Sequence, residues 1–121
     1  MDDLYLDSIL DRYKHPLFSG WIEVVPENYS LDIKQAHNVS CGDKFEVTLL
    51  RKDNIVVDAK WRGEGCAIST ASTDLFCEWA IGKTTEQLHG FDQKQIQELT
   101  GIESITPARE KCLYLPISLK A

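Results

Sequence analysis

The sequence is short of positive charge, of long apolar runs and of paired-cysteine spacings, and each shortage removes a class of function. Thirteen Lys and Arg stand against nineteen Asp and Glu among 121 residues, a formal net charge of −6. Such a balance gives no electrostatic footing for a phosphate backbone or an anionic leaflet, so nucleic acid and membrane are poor partners and a cationic partner fits better. The longest uninterrupted apolar run is Cys112-Leu113-Tyr114-Leu115, far below the roughly 20 residues of a spanning helix. Asp2 and Asp3 spoil a basic signal-peptide start, which leaves a soluble, cytoplasmic protein as the expectation. Glycine and proline, seven and four in number, are scattered as turn punctuation instead of being gathered into a linker. No repeat or low-complexity stretch interrupts the chain, and residues 1–121 are read as a single domain.

What the chain does have is hydrophobic patterning that changes along its length. Leu4, Ile9, Leu10 and Tyr13 have approximately helical spacing and are followed by Pro16 and Gly20, which predicts a first helix over 3–14. Trp21–Val25, Lys44–Leu50 and Ile55–Trp61 are rich in β-branched and aromatic residues. The last two are joined by the polar turn Lys52-Asp53-Asn54, a hairpin signal. Ile68, Ala71, Leu75, Trp79 and Ala80 then predict a helix from Ala67 to a stop before Gly82, and Asp92–Leu99 and Pro107–Leu119 give two more helical patterns. Strands first and helices afterwards predict an α+β fold, a small antiparallel β-sheet covered on one face by helices.

Four cysteines, at 41, 66, 77 and 112, include no C-x-x-C pair. Without a secretory context, metal binding, thiol chemistry or burial is favoured over disulfides, and a site shared by these residues has to be assembled by the fold. Cys41 precedes Gly42 and Asp43 just before the hairpin. Cys66 stands at a strand-to-helix junction behind Gly63 and Gly65. A thiol at a helix N-terminus faces the positive end of the dipole, which favours the thiolate. Cys112 follows Arg109 and Lys111, cations near enough in sequence to stabilise a thiolate. Cys77, between Phe76 and Trp79, reads as a buried structural thiol.

These motifs resemble the U-type iron–sulfur cluster assembly proteins, the family of IscU, SufU and the N-terminal domain of NifU. Leu4-Tyr5, Ile9, Asp11, Tyr13-Lys14, Pro16 and Gly20 look like the family's opening helix and turn, and Asn38 with Cys41-Gly42-Asp43 is similar to its first cysteine motif. Val57–Trp61, Gly63-Glu64-Gly65-Cys66-Ala67-Ile68-Ser69 and Ala71-Ser72 resemble its most distinctive segment, and Pro107-Ala108-Arg109 with Cys112 its third motif.

The resemblance implies a scaffold that accepts persulfide sulfur from a cysteine desulfurase and holds iron or a [2Fe-2S] cluster for transfer to apo iron–sulfur proteins. It implies Cys41, Asp43, Cys66 and Cys112 as the metal or cluster ligands. Soft thiolates suit both clusters and zinc, whereas a carboxylate is a harder donor, so one carboxylate among three thiolates suits a site that must release its cargo. Cys112 is the first-choice persulfide acceptor because Arg109 and Lys111 are placed to lower its thiol pKa, with Cys41 second; Arg109 reads equally as a partner for the thiolate or for Asp43 and as a surface cation at the helix N-terminus.

Lys111 stands where the IscU branch has a histidine, and Ile105–Arg109 replaces that branch's Leu-Pro-Pro-Val-Lys motif. Here the tail looks like SufU, whose members hold zinc through the corresponding residues and relay persulfide. A separation of 46 residues from Cys66 to Cys112 leaves no room for the SufU insertion. The alternative function is therefore a zinc-dependent sulfurtransferase without a cluster, and a third is a zinc-stabilised domain that binds a partner. A surface site of this kind is compatible with an oligomer.

The bland assignments complete the reading. His15, His37 and His89 are read as solvated turn residues, Lys44 and Lys60 as the polar face of the hairpin, and Trp21, Trp61 and Trp79 as core or rim aromatics. Ser69 and Ser72, lacking a histidine partner, are assigned to helix surface or packing.

Overall fold

A computed structural model describes residues 3–38, 42–102 and 105–120. Helix α1 spans Asp3–Lys14, followed by three strands, β1 (Ser30–Asn38), β2 (Asp43–Lys52) and β3 (Ile55–Glu64). Helices α2 (Ala67–Ala80), α3 (Thr85–His89), α4 (Gln93–Thr100) and α5 (Pro107–Leu113) come next, and a 3-10 helix over Leu115–Lys120 follows them. The strands form an antiparallel sheet in the order β1-β2-β3, and the architecture is α+β.

The β2–β3 hairpin closes tightly because Asp53 and Asn54 both take positive φ, 54° and 65°. This backbone twist matches that of the flanking strands. Residues paired across the sheet share a face, so Phe45, Val47 and Leu49 of β2 lie on the same side as Ala59 and Trp61 of β3. All five are buried, and this face meets α2 to form the core. Phe45 and Trp61 make an edge-to-face contact at 5.6 Å, and Phe76, Trp79 and Phe91 stack in a second aromatic group.

Asp74 of α2, fully buried, fastens the N-terminal segment to this core. Its Oδ1 accepts from the Phe18 amide at 2.8 Å and the Trp61 indole N–H at 2.7 Å, and its Oδ2 accepts from Leu17 N and Arg12 Nε. Four donors on one carboxylate offset the cost of burying its charge.

Three expectations about elements need correction. Trp21–Val25 is not a strand. The chain there leaves the edge of β3, where Gly20 N donates to Trp61 O and Trp61 N to Phe18 O. It then crosses the outer sheet face, with Ile22 N on Thr48 Oγ1 and the Trp21 ring 3.6 Å from the Arg62 guanidinium. The third strand is instead β1. The single helix expected over Pro107–Leu119 stops at Leu113 and continues as the 3-10 helix, because Pro116 has no N–H to give an α-helical ladder. Helix α3 was not expected, although Thr84 and Gln87 form a capping box at its start.

Candidate metal centre

Three of the residues singled out above meet at one end of the sheet, each placed by a different element. Asp43 opens β2 and is 1% exposed. Cys66 is the N-cap of α2, with φ −68° and ψ 168°, and Cys112 lies in α5 on the far side. One ligand atom from each lies within 4.8 Å of the others. A tetrahedral ion with bonds of roughly 2.3 Å to sulfur and 2.0 Å to oxygen separates its donors by roughly 3.5–3.8 Å, so ligation asks for a contraction of about 1 Å at most.

The two glycines before Cys66 serve different needs. Gly63 has φ +138°, and a Cβ there would sit 2.2 Å from Lys44 O. The hairpin strands approach too closely for any other residue. At Gly65 a Cβ would lie 2.6 Å from Asp43 Oδ1, 2.7 Å from Ser69 Oγ and 2.9 Å from the Phe45 ring. The empty space at Gly65 is thus filled by the polar atoms that serve the site.

Asp43 is held by both of its neighbours. Its Oδ1 accepts from Cys66 N at 3.0 Å, and its Oδ2 accepts from the Cys112 thiol at 3.4 Å. The amide bond fixes the carboxylate's orientation and leaves Oδ2 directed at the sulfur side. Ser72 ties α5 to α2, donating to Ile68 O at 2.6 Å with Cys112 O at 3.5 Å. The site has a dry floor and an open rim, since Cys112 is 5% exposed while Cys66 is exposed. A cleft of about 560 Å³, lined in part by Gly42, Lys44, Arg62, Glu64 and Gly65, opens beside it.

Burial pushes the Cys112 thiol up, and the Cys66 thiol and the Asp43 carboxylate next to it push in the same direction. The sequence argument for a lowered Cys112 pKa is therefore corrected for the metal-free protein. Lys111 and Arg109 are both exposed on α5, and Arg109's side chain makes no ion pair or hydrogen bond among the described residues. It does not partner Asp43 or Cys112; Cys112 turns inward against α2 while the cations stay in water. Stabilising a Cys112 thiolate requires positive charge inside the pocket, and two sulfurs with one carboxylate oxygen are a donor set suited to a thiophilic cation.

The remaining candidates separate cleanly. Cys41 lies outside the described residues. Cys77 is buried in the core, and burial followed by the charge of Asp74 pushes its thiol far up. His15 and His89 are exposed beyond or at the ends of helices. His37 is on β1, not in a turn, and borders a groove with Lys111 and Tyr114. Lys60 lies over the Phe18 ring at 5.7 Å. Ser69, read from the sequence as helix surface or packing, is packed but also touches the site. It is fully buried, its amide donates to Cys66 Sγ at 3.4 Å, and its Oγ lies 3.4 Å from the same sulfur. The sequence carried no signal for this contact, because it follows from the N-cap geometry of Cys66.

The sequence profile of the NifU-like N-terminal domain family matches residues 4–116. Among curated proteins, the chain is 32% identical to the iron–sulfur cluster assembly scaffold protein IscU of Thermotoga maritima, covering 93% of this chain and 86% of that protein. It is 33% identical to the zinc-dependent sulfurtransferase SufU of Bacillus subtilis, over 95% of this chain and 85% of the relative. A crystal structure described as a scaffold protein for iron–sulfur cluster assembly in the SUF system of Fervidobacterium islandicum superposes with a TM-score of 0.75 and 30% identity, covering 93% of this chain and 90% of that one.

Proposed function

Because the chain belongs to the NifU-like N-terminal domain family, we propose that it is an iron–sulfur cluster assembly scaffold. In this reading it receives sulfur from a cysteine desulfurase, holds iron or a [2Fe-2S] cluster as cargo, and passes it to apo iron–sulfur proteins. The observation that carries the reading is the convergence of Asp43, Cys66 and Cys112 within 4.8 Å at a pocket with a buried floor and an exposed rim. Cys41 supplies the fourth donor.

Sulfur arrives when a scaffold thiolate attacks the outer sulfur of the desulfurase persulfide. The new S–S bond forms on the scaffold as the old one breaks, and the desulfurase thiolate leaves. Cys112 and Cys41 are the acceptor candidates. A carboxylate among thiolates keeps the hold on a cluster weaker than four sulfurs would.

The second reading, a zinc-dependent sulfurtransferase, is favoured by Lys111 at the position before Cys112 and by the likeness to SufU. There the same residues hold resident zinc, which organises the thiols and stabilises them as thiolates.

Anaerobic reconstitution with iron and sulfide, followed by absorption spectra and metal analysis, separates the two. The scaffold reading expects a cluster chromophore lost in Cys66→Ala and Cys112→Ala; tight zinc that iron does not displace, with no chromophore, overturns it in favour of the sulfurtransferase. Incubation with desulfurase and labelled cysteine places label on the protein under both readings, and on none if the domain is merely zinc-stabilised. Label lost in Cys112→Ala assigns the acceptor to Cys112, and label lost only in Cys41→Ala assigns it to Cys41.

A further inference from the structure

We propose that Ser69 is a positioning residue whose hydroxyl turns onto the Cys66 sulfur when that sulfur ligates a metal, making Cys66 the more weakly held of the two described thiolates. The inference rests on the reading that Cys66 is a ligand, and goes beyond it by assigning the ligands unequal roles.

As a thiol, Cys66 donates to Ser69 Oγ at 3.4 Å, and the Ser69 hydroxyl donates to the Cys66 carbonyl at 3.1 Å. Ligation replaces the thiol by a thiolate. The S–H donor is then gone, and a serine lone pair facing an anionic sulfur is repulsive. Ser69 is fully buried, so no bulk water is available to intervene. Rotation of the hydroxyl about its C–O bond restores an attractive contact by directing its proton to the sulfur. The carbonyl it abandons is not orphaned, because Thr70 N already donates to Cys66 O at 3.0 Å.

The thiolate then receives two donors from one residue, the Ser69 amide at the helix N-cap and the Ser69 hydroxyl. Cys112 has a different environment, its sulfur facing Asp43 at 3.4 Å. Hydrogen bonds to a ligating sulfur withdraw charge from it and weaken its donation to the metal. Of the two described thiols Cys66 is also the exposed one, so the sulfur that receives these donors is the one nearer the rim. Gly65 permits the arrangement, since a side chain there would occupy the place of Ser69 Oγ.

Cobalt(II) is a suitable probe, because thiolate-to-cobalt charge transfer reports the energy of the sulfur lone pairs. The full chain is titrated anaerobically with cobalt(II), and the Cys66 part of the near-ultraviolet band is identified by its loss in Cys66→Ser. Ser69→Ala is expected to move this part to longer wavelength, and Ser69→Thr, which keeps a hydroxyl, to return it toward the parent. Thr73→Val removes another buried hydroxyl, which bonds Ser69 O at 2.8 Å without touching sulfur, and is expected to leave the band in place. If Ser69→Ala loses its far-ultraviolet helix signal, variant and parent are compared again in sucrose, which favours the folded state. A band in the hydroxyl-free protein that coincides with the parent's overturns the role of Ser69, as does an equal shift in Thr73→Val. Failure of the parent to bind cobalt(II) instead overturns the metal-site reading itself.

Discussion

Gly65 is the residue on which the pocket depends most directly. Three atoms lie within 3 Å of the place where its Cβ would be, two of them the polar oxygens of Asp43 and Ser69. Gly65→Ala forces them apart and costs about 1–3 kcal/mol of stability through overpacking. Because the displaced carboxylate also loses its bond from Cys66 N, affinity for zinc is expected to fall on the order of 10- to 100-fold, the usual cost of disturbing groups that orient ligands. Competition against a chromophoric chelator measures this. Unchanged zinc affinity in a folded Gly65→Ala protein would show that the carboxylate needs no such cradle. Much at this scale was readable from the sequence, because backbone approach and thiolate chemistry each demand a particular residue type: the glycines at 63 and 65 and the thiol at 66 could be singled out as they stand. Ser69 could not. Serine is ordinary in a helix's first turn, and only the N-cap geometry of Cys66 places its hydroxyl against the sulfur.

Among the elements, α1 packs on α2 and is fastened there by the buried Asp74 carboxylate through Arg12. Among its described apolar side chains Ile9 is buried, whereas Leu10 and Tyr13 are 36% and 43% exposed. Asp74→Asn removes the ion pair with Arg12 and one oxygen acceptor from a site that uses both oxygens. The expected loss is about 3 kcal/mol, at the low end for breaking a buried pair because Arg12 retains some solvent contact. Hydrogen exchange should accelerate most in residues 7–18, and protease cleavage after Lys14 should become fast. Uniform acceleration across α2 and β3 would instead make Asp74 a keystone of the core. The elements also explain where the sequence reading failed. Strand β1 has Ala36 as its one buried hydrophobic residue; an edge strand pairs through its backbone and needs no alternating pattern. Trp21–Val25 carries the side chains of a strand but spends its amides elsewhere, Ile22 N on a side-chain hydroxyl. The hairpin, α1, α2 and α4 were legible because each combines an apolar period with an explicit turn or cap.

At the scale of the whole molecule, alkaline pH should be destabilising for a reason lodged in the core. Burial, with the charge of Asp74 adding to it, keeps the Cys77 thiol protonated far above the usual thiol range. Below about pH 8.5 the folded and unfolded chains bind this proton equally. Above it the unfolded chain releases the proton and the folded one keeps it, so stability declines by about 1.4 kcal/mol per pH unit for this group. Urea unfolding of the metal-free protein between pH 8 and 10 is expected to show a shallower decline in Cys77→Ala than in the parent, by about 2 kcal/mol over that range. Parallel declines would mean that Cys77 ionises in place.

The pocket's three described donors span most of the chain, with Asp43 and Cys112 in contact across 69 positions. During synthesis on the ribosome, the hairpin and α2 emerge early and bring out Asp43 and Cys66, but α5 follows much later. A nascent chain halted before residue 112 therefore offers a metal ion only part of the donor set and a pocket whose floor is missing. The three donors therefore come together only once α5 has docked against α2, and the pocket is a property of the completed fold and not of any one segment.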